Sequence, residues 1–225
     1  MKPIRTKAIV LRRTNYGEAD RILQLLTKDY GKLSAMAKGA RREKSKLAGG
    51  IELLAISDVT LVPGKSELWT LTGARTDTFF VHIMKDYEHM QFAYEAIKQV
   101  SRVTEQVNDV VFFVLLETVL RSLDDESIDF SVTVTWFWLQ LAILQGQGLN
   151  LATDINGMNL VEGKNYRFDG EAMAFNFSEN GEFTTNHIRL LRLLSAQKPV
   201  VATKVKGIKQ LIIQCRRLAE EVLAH

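Results

Sequence analysis

The hydrophobic pattern changes period near Thr78, and that switch divides the chain. Before it, apolar and polar residues alternate over short runs separated by turn residues, the period of half-buried strands. After it, apolar residues recur at i, i+3, i+4 and i+7, the stripe of an amphipathic helix. A chain patterned this way is expected to be α+β, a small β module followed by a mainly helical body, with the boundary at 76/77.

The β module reads as five strands. Residues 6–13 form the first, with Ile9 and Leu11 on one face and Ala8 and Val10 on the other. Asn15-Tyr16-Gly17 is a turn signal, and residues 21–27 follow as the second strand. Gly31 can supply the positive φ that closes a tight loop. Beyond it Leu33, Ala35 and Ala37 alternate with Lys32, Ser34, Met36 and Lys38. Residues 53–62, stopped by Pro63-Gly64, and residues 68–72, with Trp69 and Leu71 among threonines, complete the set. Five short strands with a long loop after the third match a small closed barrel of the OB type. A three-stranded sheet with a helical insert is the alternative.

That long loop carries the charge. Arg41, Arg42, Lys44 and Lys46 follow Gly39 within a few positions, opposed only by Glu43. Residues 1–50 hold thirteen Lys or Arg against four acids, so they carry +9 in a chain of net +3. Such asymmetry suits an anion-binding module on a mildly acidic body. Lys32, Lys38, Arg41, Arg42, Lys44 and Lys46 are the expected phosphate contacts, on a mobile loop and its adjoining strand, with Arg13 and Arg21 on the first two strands. Of the aromatics beside these cations, Tyr16 and Tyr30 lie at turns where a ring can stack on a base. Trp69 alternates with threonines and is expected in the core.

In the helical body, Met90, Ala93, Tyr94, Ile97 and Val100 form the buried stripe of one helix. Asn108 or Asp109 caps a second, whose residues 110–116 are apolar all round and are expected at a buried centre. An acidic connector (Asp124, Asp125, Glu126, Asp129) complements the dipole of a third helix over 130–144. Residues 149–183 lose helical periodicity and are rich in glycine, with short strands expected at 166–168 and 173–177. Thr185 or Asn186 starts a helix to 194, and a last helix over 204–223 buries Val205, Ile208, Ile212, Cys215, Ala219 and Val222. Arg189, Arg192, Lys206, Lys209, Arg216 and Arg217 alternate with Leu and Ile here, the makings of an apolar slot flanked by cations.

No phosphate-cradling glycine loop, nucleophile elbow or distinctive carboxylate pair is present, so no catalytic turnover is expected. His82, His89, His187 and His225 have no metal-ligand spacing, and the 149–183 insert has neither Cys nor His, so no metal or cofactor is expected. The single Cys215, the lack of an apolar leader and a longest apolar stretch of fifteen residues (130–144) point to a soluble cytoplasmic protein with no membrane association.

Several runs together carry a resemblance: Lys7 to Arg13, Tyr16-Gly17-Glu18-Ala19-Asp20-Arg21-Ile22, Tyr30-Gly31-Lys32-Leu33, and Ala37-Lys38-Gly39-Ala40-Arg41-Arg42 with Lys44-Ser45-Lys46. Over residues 5–75 the chain resembles the bacterial RecO recombination mediators. The resemblance implies an N-terminal OB barrel, a helical domain over 77–225, and binding of single- and double-stranded DNA with annealing of strands. It also implies contacts with RecR and the acidic tail of single-strand-binding protein, help in loading RecA, and a place with the bacterial nucleoid. Many members hold zinc through four cysteines in the insert; none is present here. The family's usual Leu-Gln-Pro-Phe after the basic loop is replaced by Ile51-Glu52-Leu53-Leu54. An RNA- or tRNA-binding OB adaptor is the competing expectation, and an enzyme with scattered Asp, His and Ser residues is a third.

Overall fold

The computed structural model describes residues 2–64 and 67–223. Its contacts group into two compact units, Met1–Asp124 and Asp125–His225. This division falls well beyond the 76/77 boundary read from the sequence, because two helices that follow the barrel belong with it.

The first unit is built on β1 (Ile4–Tyr16), β2 (Asp20–Thr27), β3 (Gly31–Ala37), β4 (Ala55–Val62) and β5 (Trp69–Phe79). They close a barrel in the order β1-β2-β3-β5-β4, with β1 pairing back onto β4. That is the five-stranded OB topology. Ala8, Val10, Leu23, Leu25, Ala35, Ala37, Val59, Leu61 and Leu71 fill its interior. Gly31 adopts φ +66° at the β2–β3 turn, a conformation that glycine enters without a Cβ penalty. The fifth strand runs to Phe79 rather than ending near residue 72. Register shifts against β4 let it follow the curved barrel well past its alternating segment.

Both faces of the first half of β1 are buried. Ala8 and Val10 face the interior, while Ile9 and its neighbour Leu26 are fully buried on the outside. Two helices, α1 (Tyr87–Val103) and α2 (Val111–Asp124), cover this outer patch. Asp86 caps α1, accepting from the His89 backbone, and Asp109 accepts from Val111 at 2.9 Å at the start of α2. The α2 segment is not buried all round as the sequence suggests: Phe112, Phe113, Leu115 and Leu116 are buried, but Val110, Val111 and Val114 are exposed. The helix packs on the barrel and on α1, and the side carrying Val111 and Val114 is left open.

In the second unit, α3 (Phe130–Leu144) is a helix despite its β-branched start, because its length and burial favour one. Asp129 caps it by accepting from Ser131 at 2.9 Å, and Asp125 closes a turn on Ser127. The insert forms a sheet of β6 (Asn150–Asp154), β7 (Asn165–Asp169), β8 (Ala174–Phe177) and β9 (Phe183–Thr184), ordered β6-β8-β7-β9. Phe175 is fully buried, its ring 5.5 Å from that of Phe168 and 5.3 Å from that of Phe183. Phe177 lies outside this cluster and is exposed, with the Lys164 ammonium 4.6 Å over its ring.

Then follow α4 (Thr185–Ala196) and α5 (Ile208–Val222), the latter preceded by a 3-10 turn at Pro199–Lys204. The last helix therefore starts four residues later than its apolar pattern suggests. Cys215 is fully buried on α5, and burial pushes its thiol pKa up to about 12. Among the described residues, no helix is long and apolar enough to cross a membrane. Nor do three or more His, Cys, Asp or Glu side chains gather into a metal-binding group among them.

Candidate nucleic-acid interface

Strand register decides which side chains share the barrel's outer face. Directly opposed residues in an antiparallel pair point the same way. Arg12 opposes Gln24, which opposes Ser34; Thr14 opposes Ile22, which opposes Met36; Tyr16 opposes Asp20. The neighbouring outward row, Ile9–Leu26–Lys32, is the one beneath the helices. The outer face of β1-β2-β3 is thus half covered and half open. The open half places half-buried Ile22 and Met36 between Arg12 on one side and Tyr16 and Lys38 on the other. Tyr16 is 55% exposed.

A bulge in β1 between Val10 and Arg12 creates this arrangement. It adds one residue, so the alternation flips. Arg12 turns outward and Arg13 takes the parity of inward-facing Leu23. Arg13 there pairs with Glu52 at 2.8 Å and is not on the open face. Arg21, opposite Ala37, likewise has inner-face parity, and its Nε donates to Asn15 Oδ1 at 3.4 Å. Strict alternation favours Arg13 over Arg12; only the bulge reverses the choice.

Lys32 lies in the covered row. Its ammonium donates to the Ser101 carbonyl at 2.8 Å and lies 3.7 Å from Glu105, both near the end of α1. Burial pulls its pKa down, with Glu105 acting the other way. Its backbone N–H donates to Asn108 Oδ1 at 2.6 Å, so Asn108 ties the α1–α2 connection to β3 rather than capping α2. Lys32 is a fastening between helix and barrel.

The remaining cations stand together at the other end of β3. Lys38, Arg41, Arg42, Lys44 and Lys46 are exposed and form no ion pair among the described residues. The start of their loop is tied to the first hairpin. The Gly39 N–H donates to Asp20 Oδ1 at 2.7 Å, and the Arg41 N–H to the Ala19 carbonyl at 2.9 Å. The Arg41 guanidinium reaches the Gly17 carbonyl at 3.2 Å, and Ala40 is buried. These bonds hold the basic loop against the β1–β2 hairpin, beside Tyr16. Tyr30 is exposed at the opposite end of β3, away from this group.

Another sector of the barrel is chemically different. There Lys7 contacts Asp77 at 2.8 Å and Asp58 at 3.4 Å, and Arg75 contacts Asp58 at 3.5 Å. The hydrogen bond from Lys7 holds the Asp77 carboxyl below its usual range. Cations neutralised in this way have little attraction left for a polyanion. In the second unit, Arg189 pairs with Glu162 at 2.8 Å, Arg192 donates to the Leu151 carbonyl at 2.7 Å, and Arg216 pairs with Glu220 at 2.8 Å. Lys206, Lys209 and Arg217 are exposed, so half of the proposed slot's cations are already engaged.

The family described as Recombination protein O N terminal matches residues 1–79. A DNA repair protein RecO of Dehalococcoides mccartyi (strain CBDB1) is 42% identical over 125 residues, 55% of this chain and 49% of that protein. One of Alkaliphilus metalliredigens (strain QYMF) is 35% identical over 145 residues, 64% of this chain and 58% of its own. A third, of Thermoanaerobacter sp. (strain X514), is 30% identical over 151 residues, covering 65% and 59%. The matched part of the chain thus spans about half the length of these relatives. Over its barrel, the part that family describes, and into the helices that follow, the chain is similar to these RecO proteins.

Proposed function

We propose that this chain is a non-enzymatic, DNA-binding mediator of recombinational repair whose primary site is the open face of β1-β2-β3 with the 38–46 loop. One observation carries the reading: five exposed cations, without acidic partners among the described residues, are held beside a sheet face whose apolar centre is uncovered. Phosphates would meet Lys38, Arg41, Arg42, Lys44 and Lys46, while bases pack on Ile22, Met36 and the Tyr16 ring. None of these contacts reads a base edge, so binding is to strand chemistry rather than sequence. A protein that holds a strand this way brings a complement to it without turning over a bond. The RecO kinship supports annealing of strands and RecA loading as the outcome. It also supports double-stranded DNA, RecR and the tail of single-strand-binding protein as partners, and action at the bacterial nucleoid.

The test is anisotropy of labelled oligothymidylate titrated with the full chain, with unlabelled oligouridylate of equal length as competitor. Saturable binding that weakens with salt, and is displaced poorly by the RNA, is the expected result. No binding at low salt would overturn the reading, and preferential displacement by RNA would move it to an RNA-binding adaptor.

A further inference from the structure

Helix α1 borders the open sheet face, and between them lies a groove of about 420 Å³. Leu11 and Ile97, both buried, and half-buried Leu53 give it an apolar lining. Tyr94 also lines it and is 43% exposed, although its helical position belongs to the stripe that otherwise packs on the barrel. The β1 bulge explains the gap: it sets Leu11 apart from regular pairing and turns Arg12 outward. The rim is cationic, formed by Arg12, Lys98 and Arg102. Lys98 has only a loose partner, Glu95 at 3.6 Å on the exposed surface, and Arg12 and Arg102 have none among the described residues. Glu105, the one acid on the groove wall, faces the Lys32 ammonium.

Arg12 belongs both to this rim and to the outward row with Gln24 and Ser34. The groove therefore continues the open face, on the side away from the basic loop. We propose that α1 completes the interface: a nucleic-acid strand crossing the sheet from the 38–46 loop enters this groove, stacks a base on Tyr94, and sets flanking phosphates at Arg12, Lys98 and Arg102. An exposed ring in an apolar recess with cations on its edge has the chemistry of a single-strand stacking platform. The inference rests on the proposed function, since it extends the same site from the barrel onto the helix.

Four variants of the full chain test it against labelled oligothymidylate: Tyr94→Ala, Tyr94→Phe, Lys98→Ala with Arg102→Ala, and the loop variant Arg41→Ala/Arg42→Ala/Lys44→Ala. Loss of Tyr94 should weaken binding roughly 5- to 150-fold with an unchanged salt dependence. Tyr94→Phe should restore binding, which separates stacking from misfolding. Loss of the two cations should flatten the slope of log affinity against log salt by ~1.4. If both groove variants bind like wild type while the loop variant is impaired, the groove is not part of the interface and the proposed function stands. If the loop variant also binds like wild type, the proposed function itself fails. An acidic, apolar-ended peptide is the control ligand. Its binding being lost in Tyr94→Ala, with DNA affinity unchanged, would assign the groove to a protein tail and overturn the inference.

Discussion

Asp20, at the tip of the first hairpin, accepts a hydrogen bond from the backbone of Gly39 at 2.7 Å, and so an acid organises the most basic loop of the chain. Removing a negative charge from a DNA-binding face ordinarily strengthens binding. Here the opposite is expected, because the carboxylate sets the loop that carries the cations. Asp20→Ala should destabilise the chain by about 1.5–3 kcal/mol, the range for a hydrogen bond to a charged group, and should weaken DNA binding. Asp20→Asn, which keeps the acceptor, should bind at least as well as wild type. Paired melts and anisotropy titrations of the two variants check this.

The exposed loop cations should be separable from the fold. Replacing Arg41, Arg42 and Lys44 with alanine should flatten the salt slope for single strands by ~2, from about 0.7 per phosphate contact. Stability should change little, since exposed charges contribute under about 1 kcal/mol each. Lys32→Ala should behave in the reverse way. It leaves Glu105 and the Ser101 carbonyl without their partner, so it should lower the melting temperature and leave the salt slope near wild type.

The insert should hold together without metal. Phe175, packed between Phe168 and Phe183, supplies its centre, and Phe175→Ala should cost about 3–5 kcal/mol as a large core truncation. Elemental analysis after dialysis should find no stoichiometric zinc, and a chelator should leave the melting temperature unchanged. A bound zinc whose removal unfolds the second unit would overturn this expectation.

The start of α4 should respond to mild acid. The Thr184 N–H donates to His187 Nδ1 at 3.0 Å, which requires that nitrogen to be unprotonated, and burial pulls the His187 pKa below its usual 6.5. A histidine whose folded pKa is depressed contributes stability above its unfolded value, and that stability is lost as pH falls through about 6.5 and below. Melting temperatures measured across this window should fall more steeply for wild type than for His187→Gln. Equal slopes would show that the cap does not titrate.

Much of the site was written in local sequence. The barrel was legible because strand alternation and the glycine at position 31 are short-range signals, and the basic loop because charge is carried by the residues themselves. The acidic connector was legible for the same reason: Asp129 caps the helix it precedes. What escaped were consequences of partners distant in the chain. Lys32 and Arg41 look equivalent as cations, yet Lys32 lies against Ser101 and Glu105 while Arg41 stays exposed. Phe183 rather than Phe177 joins the insert's aromatic core because pairing of β7 with β9 brings it there.

The choice between Arg12 and Arg13 shows the limit most plainly. Alternation along β1 assigns one face to each, and a single bulged residue exchanges them, without any turn residue to mark it. Sequence by itself determined the run of short strands before the helices and the place of excess positive charge, since these follow from periods and compositions within one segment. The tertiary structure alone decided which cations remain unpaired, which half of the sheet stays open, and that Tyr94 lines a groove instead of filling a core. Those depend on register and on what packs across the face, and a side chain's free energy there is set by neighbours that its own segment does not contain.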